Sequence, residues 1–231
     1  MRGCFVTGTD TGVGKTVLAA AIVASLRSSG VAVRALKPLI TGLDEPVDPN
    51  WPHDHELLAR AAQCPPQEVA LFSYGPPVSP HLAAELAGRP LDRGRLCDAV
   101  RRACAAADVA VIEGVGGLLV PLAAGYDVRG LAADLGLPLL IAARPGLGTI
   151  NHTLLTLEAA RAAGLRVAGV VMTPWPAEPT EVERSNRATV ARLGSVPVST
   201  LPPVERADPE LLGQAARGLP IDEWLGAAEP T

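Results

Sequence analysis

A single α/β domain built on a doubly wound, mostly parallel sheet is the fold the sequence predicts, on three observations. Short apolar runs alternate with helix-compatible stretches along the chain, the order that βαβ units require. Apolar residues make up 48% of the chain and aromatic ones only 3%, so the core must be built from Ala, Val, Leu and Ile. That palette suits helices packed on a parallel sheet. Finally, 231 residues suffice for one domain with a sizeable core, and no repeat, low-complexity stretch or break in composition divides residues 1–231.

The elements follow in order. Residues 4–7 are an apolar run that stops at Gly8, and residues 15–28 read as an apolar helix. A second buried strand is expected at 31–36, just before Lys37-Pro38. Residues 41–52, rich in Pro, Asp and Gly, form a loop. A helical pattern resumes at 54–62, where Asp54 supplies an acid at the N-terminus. After a loop at 76–80, helices are expected at 81–86 and 92–107. A strand at 109–112 ends on Glu113-Gly114, and another at 137–142 precedes a glycine turn at 146–148 and a helix from Asn151. Residues 167–171 form a further strand and 196–199 a short last one.

Bulk properties exclude several functions. The net charge of −4 gives no basis for nucleic acid or an anionic membrane as partner. Cys4, Cys64, Cys97 and Cys104 contain no C-x-x-C pair, and the four histidines set no zinc-like spacing with them. Free thiols in a reducing compartment are therefore expected. No secretory leader precedes Gly8 and the longest apolar runs are too short to span a bilayer, so the expected location is the cytoplasm.

Of the 20 Lys and Arg residues, only Lys15 and Lys37 are lysine, which marks them as places where a compact ammonium is needed. Lys15 closes the segment Gly8-Thr9-Asp10-Thr11-Gly12-Val13-Gly14-Lys15-Thr16, between a strand and a helix. This is the context of a phosphate-binding P-loop, and it refines the expected fold to the P-loop NTPase type. Backbone N–H groups there surround phosphate oxygens, the lysine reaches the β and γ oxygens, and the Thr16 hydroxyl can ligate Mg²⁺. The spacing departs from strict G-x-x-x-x-G-K-[ST], because position 9 is Thr and the leading glycine is Gly8.

Lys37 follows the second strand, whose C-terminal end should share a sheet edge with the loop, so its ammonium can meet the same phosphates. On sequence alone Asp54 reads first as a plain helix-start acid, with Asp44, Asp48 and Glu56 as neighbours that leave the register open. Glu113, at a buried strand end, stands at the Walker-B position. An unpaired carboxylate there is costly, so metal binding is the reading that accounts for it.

G-T-D-T-x-V-G-K-T at residues 8–16 closely resembles the dethiobiotin synthetase family, as do Lys37-Pro38-Leu39-Ile40-Thr41-Gly42, Ser79-Pro80-His81, Glu113-Gly114-Val115-Gly116-Gly117 and Gly148-Thr149-Ile150-Asn151-His152. These motifs run in family order between residue 3 and about Pro203. The resemblance implies a ligase of biotin biosynthesis that forms the cyclic urea of dethiobiotin from 7,8-diaminopelargonate, CO₂ and a nucleoside triphosphate, through a phosphorylated carbamate. It implies Lys37 and Lys15 as catalytic, and Thr16, Asp54 and Glu113 as Mg²⁺ ligands. Nucleotide contacts are implied for Gly12, Val13, Gly14, Lys15, Thr16, Val17, Asp54, Glu113, Gly114, Val115 and Gly116. At the base they are implied for Thr173, Pro174, Pro202 and Pro203, and substrate contacts for Thr11, Thr41, Gly116 and Asn151. Asn151 would serve through the helix start that receives the carboxylate tail, in a homodimer whose site is completed across the interface. His81 is given a structural hydrogen-bonding role.

The chain departs from the family pattern in places. Many relatives have an acid at position 12, where this chain has Gly12, and the best-known pattern reads adenine with Asn-Asp where this chain has Thr173-Pro174. Proline has no N–H and no base-edge donor, so ATP is expected to share the site with other triphosphates such as CTP. Other functions remain open: a nucleotide switch of the ParA/MinD type, disfavoured by Asp10 at the second-lysine position, an amide-forming synthetase, and a P-loop kinase of a small metabolite. Lys37→Ala is expected to damage turnover far more than folding.

Overall fold

The computed structural model describes residues 1–48 and 51–225. Its centre is a six-stranded sheet made of β1 (Gly3–Gly8), β2 (Val33–Leu36), β5 (Val109–Gly117), β8 (Leu139–Ala143), β9 (Val167–Met172) and β10 (Val198–Thr200). The order is β10-β9-β8-β1-β5-β2 and every pairing is parallel, so all C-terminal strand ends lie along one edge. β1 sits between β5 and β8, and the chain reverses its winding direction there, the position where such sheets bind ligands.

Side chains alternating along each strand feed two cores. Cys4, Val6, Val109, Val111, Leu140 and Ala142 pack under α1 (Lys15–Ser28), α2 (Asp54–Ala62), α8 (Pro209–Ala215) and α9 (Ile221–Trp224). Phe5, Ala110, Ile112, Leu139 and Ile141 face α3 (Pro80–Leu86), α4 (Arg93–Cys104), α5 (Val128–Leu135), α6 (Thr149–Ala162) and α7 (Glu181–Gly194). α1 is apolar nearly all round because it lies under the sheet, α2 and α8 together.

The helices over residues 15–28 and 54–62 lie where the sequence predicts them. Several elements differ. β2 begins at Val33, not at residue 31, and β5 runs on through Gly117, because Gly8 pairs with Gly117 beyond a register shift in β1. α6 begins at Thr149 behind Gly148, which makes Asn151 the third helical residue and not the cap. α5 and α7 were not expected, although both carry legible caps. Asp127 Oδ1 accepts from Gly130 N at 2.7 Å, and Glu183 Oε2 accepts from Thr180 N at 2.7 Å in a capping box. Two small strand pairs also form outside the main sheet, β3 (Leu39–Ile40) with β4 (Phe72–Ser73) and β6 (Pro121–Ala123) with β7 (Tyr126–Asp127). They are too short for a periodic signal. The segment after Pro203 closes the α1 face: Leu212 and Trp224 are buried, and Gly3 N donates to Leu225 O at 3.1 Å.

Candidate active site

Beyond the C-terminal ends of β1, β2 and β5 lies a cleft of about 780 Å³, whose walls include Thr11, Gly12, Gly14, Lys15, Thr16 and Val17. Lys37, Thr41, Asp54, Val115 and Gly116 face them. The floor at β1 is the glycine loop. Gly14 has φ 88°, in the left-handed region, and a Cβ there would lie 2.7 Å from Thr173 Cγ2, so only glycine lets the loop close against β9. The turn leads into the N-terminus of α1, whose first N–H groups have no partner within the helix.

Two buried lysines and two acids meet below the loop. Lys15 is 6% exposed and donates from Nζ to Asp10 O at 2.9 Å. Lys37 is 5% exposed and donates from Nζ to Glu113 Oε1 at 2.7 Å and to Asp54 Oδ2. Thr16 Oγ1 donates to the same Glu113 Oε1 at 2.9 Å. Asp54 is the acid of its neighbourhood that reaches the site, because it opens α2 and points back over Lys37. That helix start is held by Glu56, whose Oε2 accepts from His53 N at 3.2 Å. His53 and His55 stack on one another with centroids 5.9 Å apart, and His55 lies inside α2.

The charges perturb one another strongly. Burial pushes the Glu113 carboxyl up, with the Lys37 ammonium opposing it. Burial alone would lower Lys37, but Glu113 and Asp54 outweigh it, so this ammonium stays charged beyond the ordinary lysine range. Asp54 is likewise worked upward by burial and held below the usual carboxylate range by Lys37. Lys15 differs: its desolvation prevails over the attraction of Glu113, and its pKa is lowered. A lysine is charged below its pKa, so Lys15 loses its charge at a lower pH than an ordinary lysine. In the free enzyme, kcat/KM for the nucleotide is expected to fall on the alkaline side before the ordinary lysine value of about 10.4 is reached. The limb should disappear in Lys15→Arg, whose charge does not titrate; an identical limb in both proteins would rule out Lys15 as its origin.

One feature of the site tests whether a cation fits. Glu113 is 1% exposed, and its Oε2 is buried with no hydrogen-bond partner among the described residues. Two carboxylates and a threonine hydroxyl beside a phosphate cradle suit Mg²⁺, which keeps water and phosphate among its ligands. Among the described residues no group of three His, Cys, Asp or Glu forms an all-protein cage.

An AAA domain family model matches residues 2–210. Similar curated proteins carry one name, ATP-dependent dethiobiotin synthetase BioD. That of Anaeromyxobacter dehalogenans strain 2CP-1 is 44% identical over 195 residues, covering 84% of this chain and 86% of the relative. That of Haloferax mediterranei is 38% identical over 229 residues, covering 97% and 94%. The chain belongs to the dethiobiotin synthetase family. Among solved structures, a ParA family ATPase from Chlorobium tepidum matches with TM-score 0.57 over 96% of this chain and 95% of its own, at 13% identity. The apo McdA structure matches with TM-score 0.55 over 93% and 90%, at 14% identity. At such identities these two share the fold alone.

The remaining residues singled out in this member of the dethiobiotin synthetase family are spread over several elements. Thr173 and Pro174 follow β9 directly, and the segment at Leu201, Pro202 and Pro203 lies against them, because Trp175 N donates to Leu201 O at 2.8 Å. Val13 is 2% exposed in the core, and Gly114 is tightly packed within β5. A Cβ on Gly114 would lie 2.8 Å from Val128 Cγ1 and 3.1 Å from the Phe5 ring, so any side chain there would press on α5 and β1. Asn151 is exposed on α6 and does not line the cleft that holds the lysines. His81 Nδ1 lies 3.0 Å from Ser79 Oγ, in keeping with a structural role.

Sequence reasoning missed two residues at this edge. Arg144 follows β8 directly and touches the glycine loop; its place at a strand's C-terminal end was the available signal. Asn186, on α7, donates from Nδ2 to Pro145 O at 2.9 Å and to Gly146 O at 3.1 Å, and nothing in its local sequence announces that contact.

Proposed function

We propose that the protein closes the cyclic urea of dethiobiotin from 7,8-diaminopelargonate, CO₂ and a nucleoside triphosphate. The observation that carries this reading is the buried carboxylate of Glu113, which accepts from both Lys37 and Thr16 under the glycine loop, inside a cleft that Thr11, Thr41 and Gly116 also line. One amine of the substrate adds to CO₂ and loses a proton to give a carbamate. A carbamate oxygen attacks the γ-phosphorus and the nucleoside diphosphate leaves. The second amine then attacks the carbonyl carbon of the mixed anhydride, phosphate departs and the ring closes.

The chain's part is positioning and charge. The N–H groups of the loop and the N-terminus of α1 hold the phosphates, and Lys15 and Lys37 offset the charge that develops on the transferring phosphoryl group. Thr11, Thr41 and Gly116 bound the space beside them for the diamine. Thr16, Asp54 and Glu113 would hold Mg²⁺, which supplies further neutralisation of phosphate charge. Base selection is loose in this reading, since Pro174, Pro202 and Pro203 offer no N–H to a base edge.

A second copy completes the site. Beside the loop runs a groove lined by Asp10, Thr11, Leu118, Leu119, His152 and Leu155, in which Leu119 and Leu155 are more than half exposed at 56% each. Such apolar exposure next to Asn151 supports a homodimer that brings one α6 start to the partner's cleft. No helix among the described residues is long and apolar enough to cross a membrane.

The test is to incubate purified protein with diaminopelargonate, bicarbonate, Mg²⁺ and equal ATP and CTP, and to follow dethiobiotin and both diphosphates. Dethiobiotin is expected together with consumption of both nucleotides, by a species of twice the chain mass in light scattering. Absence of dethiobiotin overturns the substrate assignment, strict use of ATP overturns the loose base selection, and a monomer of full activity overturns the shared site.

A further inference from the structure

Arg144 stands immediately after β8, between the strand that carries the glycine loop and the strand that ends at Met172. It is exposed, yet its guanidinium is spent on the loop: Nη2 lies 3.4 Å from Thr11 O and 3.3 Å from Gly12 O. Gly12 has φ 69°, and a Cβ built on it would lie 3.3 Å from the same nitrogen. The guanidinium therefore covers the outer side of the loop where it bends. It is mounted on a fixed support, because Asn186 of α7 bonds the carbonyls of the next two residues, Pro145 and Gly146. Among the described residues no carboxylate pairs with Arg144, so its charge is not cancelled locally.

A peptide unit whose N–H is to face an anion presents its carbonyl to the opposite side. A cation bound to those carbonyls favours that orientation and polarises the peptide groups toward the anion. We propose that Arg144 is a positioning residue for the nucleotide: it braces the glycine loop from outside in the conformation that receives phosphates, and so sets nucleotide affinity without entering the chemistry. The inference rests on the reading of this loop as the phosphate cradle.

Three variants separate the possibilities: Arg144→Ala, Arg144→Lys and Lys15→Ala. ATP and CTP are titrated calorimetrically into each in Mg²⁺ buffer, and kcat and KM are measured with diaminopelargonate at saturation. Arg144→Ala is expected to weaken both nucleotides by about tenfold and by the same factor, the scale of one charge-assisted contact at an exposed site. Its kcat should stay within about twofold at saturating nucleotide, its melting temperature should match the parent, and Arg144→Lys should recover most of the affinity. Unchanged affinity in Arg144→Ala while Lys15→Ala abolishes binding overturns the role of Arg144 and leaves the cradle standing. Unchanged affinity in both overturns the cradle and the inference with it. A fall in kcat at unchanged affinity, or a loss confined to one nucleotide, also overturns the brace.

Discussion

Replacing Lys37 by alanine is expected to lower kcat by about a thousandfold, the upper scale for removing one preorganised charge from a transferring group. Lys37 is buried, held charged by Glu113 and Asp54, and faces the same cleft as the phosphate loop, so its truncation removes a fixed charge from beside the transferring group. The contact with Glu113 adds a consequence that sequence reasoning did not include. Truncation leaves the Glu113 carboxyl buried without its closest cation, and breaking a buried pair from one side costs roughly 3–5 kcal/mol when the other charge stays ionised. Folding is therefore expected to be damaged as well, beyond the sequence expectation that turnover would suffer far more than folding.

The stability loss should depend on pH with a definite sign. Burial already raises the Glu113 pKa, and without Lys37 it rises further above the unfolded value, so the folded variant binds a proton that the unfolded chain has released. Stability of the variant then falls relative to the parent as pH climbs from the unfolded glutamate value, about 4.3, through the raised folded one. Thermal melts of both proteins from pH 5 to 8 should diverge upward in pH. Lys37→Met keeps the buried stem and serves as a second variant whose fold is less disturbed. Turnover near normal in either variant would remove Lys37 from the mechanism.

Glu113→Gln carries the second large effect: a fall of about a hundredfold to a thousandfold in turnover, with the Mg²⁺ concentration for half-activity displaced upward. The amide keeps the volume and one acceptor for Thr16 or Lys37, while Lys37 retains Asp54 as counter-charge, so the fold should survive. What it loses is the charge on the buried oxygen that no protein group satisfies. Activity measured across a Mg²⁺ titration at fixed nucleotide tells the roles apart. A lower kcat with an unmoved Mg²⁺ requirement would mean that Glu113 acts through Lys37 and not on the metal. Asp54→Asn should be milder, because half of its side-chain surface is open to water at 50%.

The local order of this protein is largely written in its chain. Alternation of apolar runs and helices sufficed for a parallel sheet, and helix 54–62 was legible from one acid followed by apolar spacing. Lys15 and Lys37 stood out because lysine is otherwise absent, and Glu113 because a strand-end carboxylate has few uses. The choice of Asp54 among four nearby acids needed the family pattern, since each of the others fits a helix start or loop equally well; only Asp54 meets Lys37 in space. Gly114 has a packing role that its motif does not announce, because the approach of Val128 and Phe5 to it is visible only in the fold.

The sequence by itself determined what is encoded by periodicity and residue chemistry at short range: the fold class, the glycine loop, the two ammonium groups and the acids that answer them. Only the tertiary structure decided what depends on distant segments meeting. It put Arg144 on the loop 132 residues earlier in the chain, Asn186 behind Arg144, Thr173 against Gly14, and the segment after Pro203 under the sheet as the lid of a core. Such contacts are made by ordinary residue types whose roles come from position. No local pattern reports position, because the chain's neighbours in space are chosen by sheet order and helix packing and not by the residues beside them in sequence.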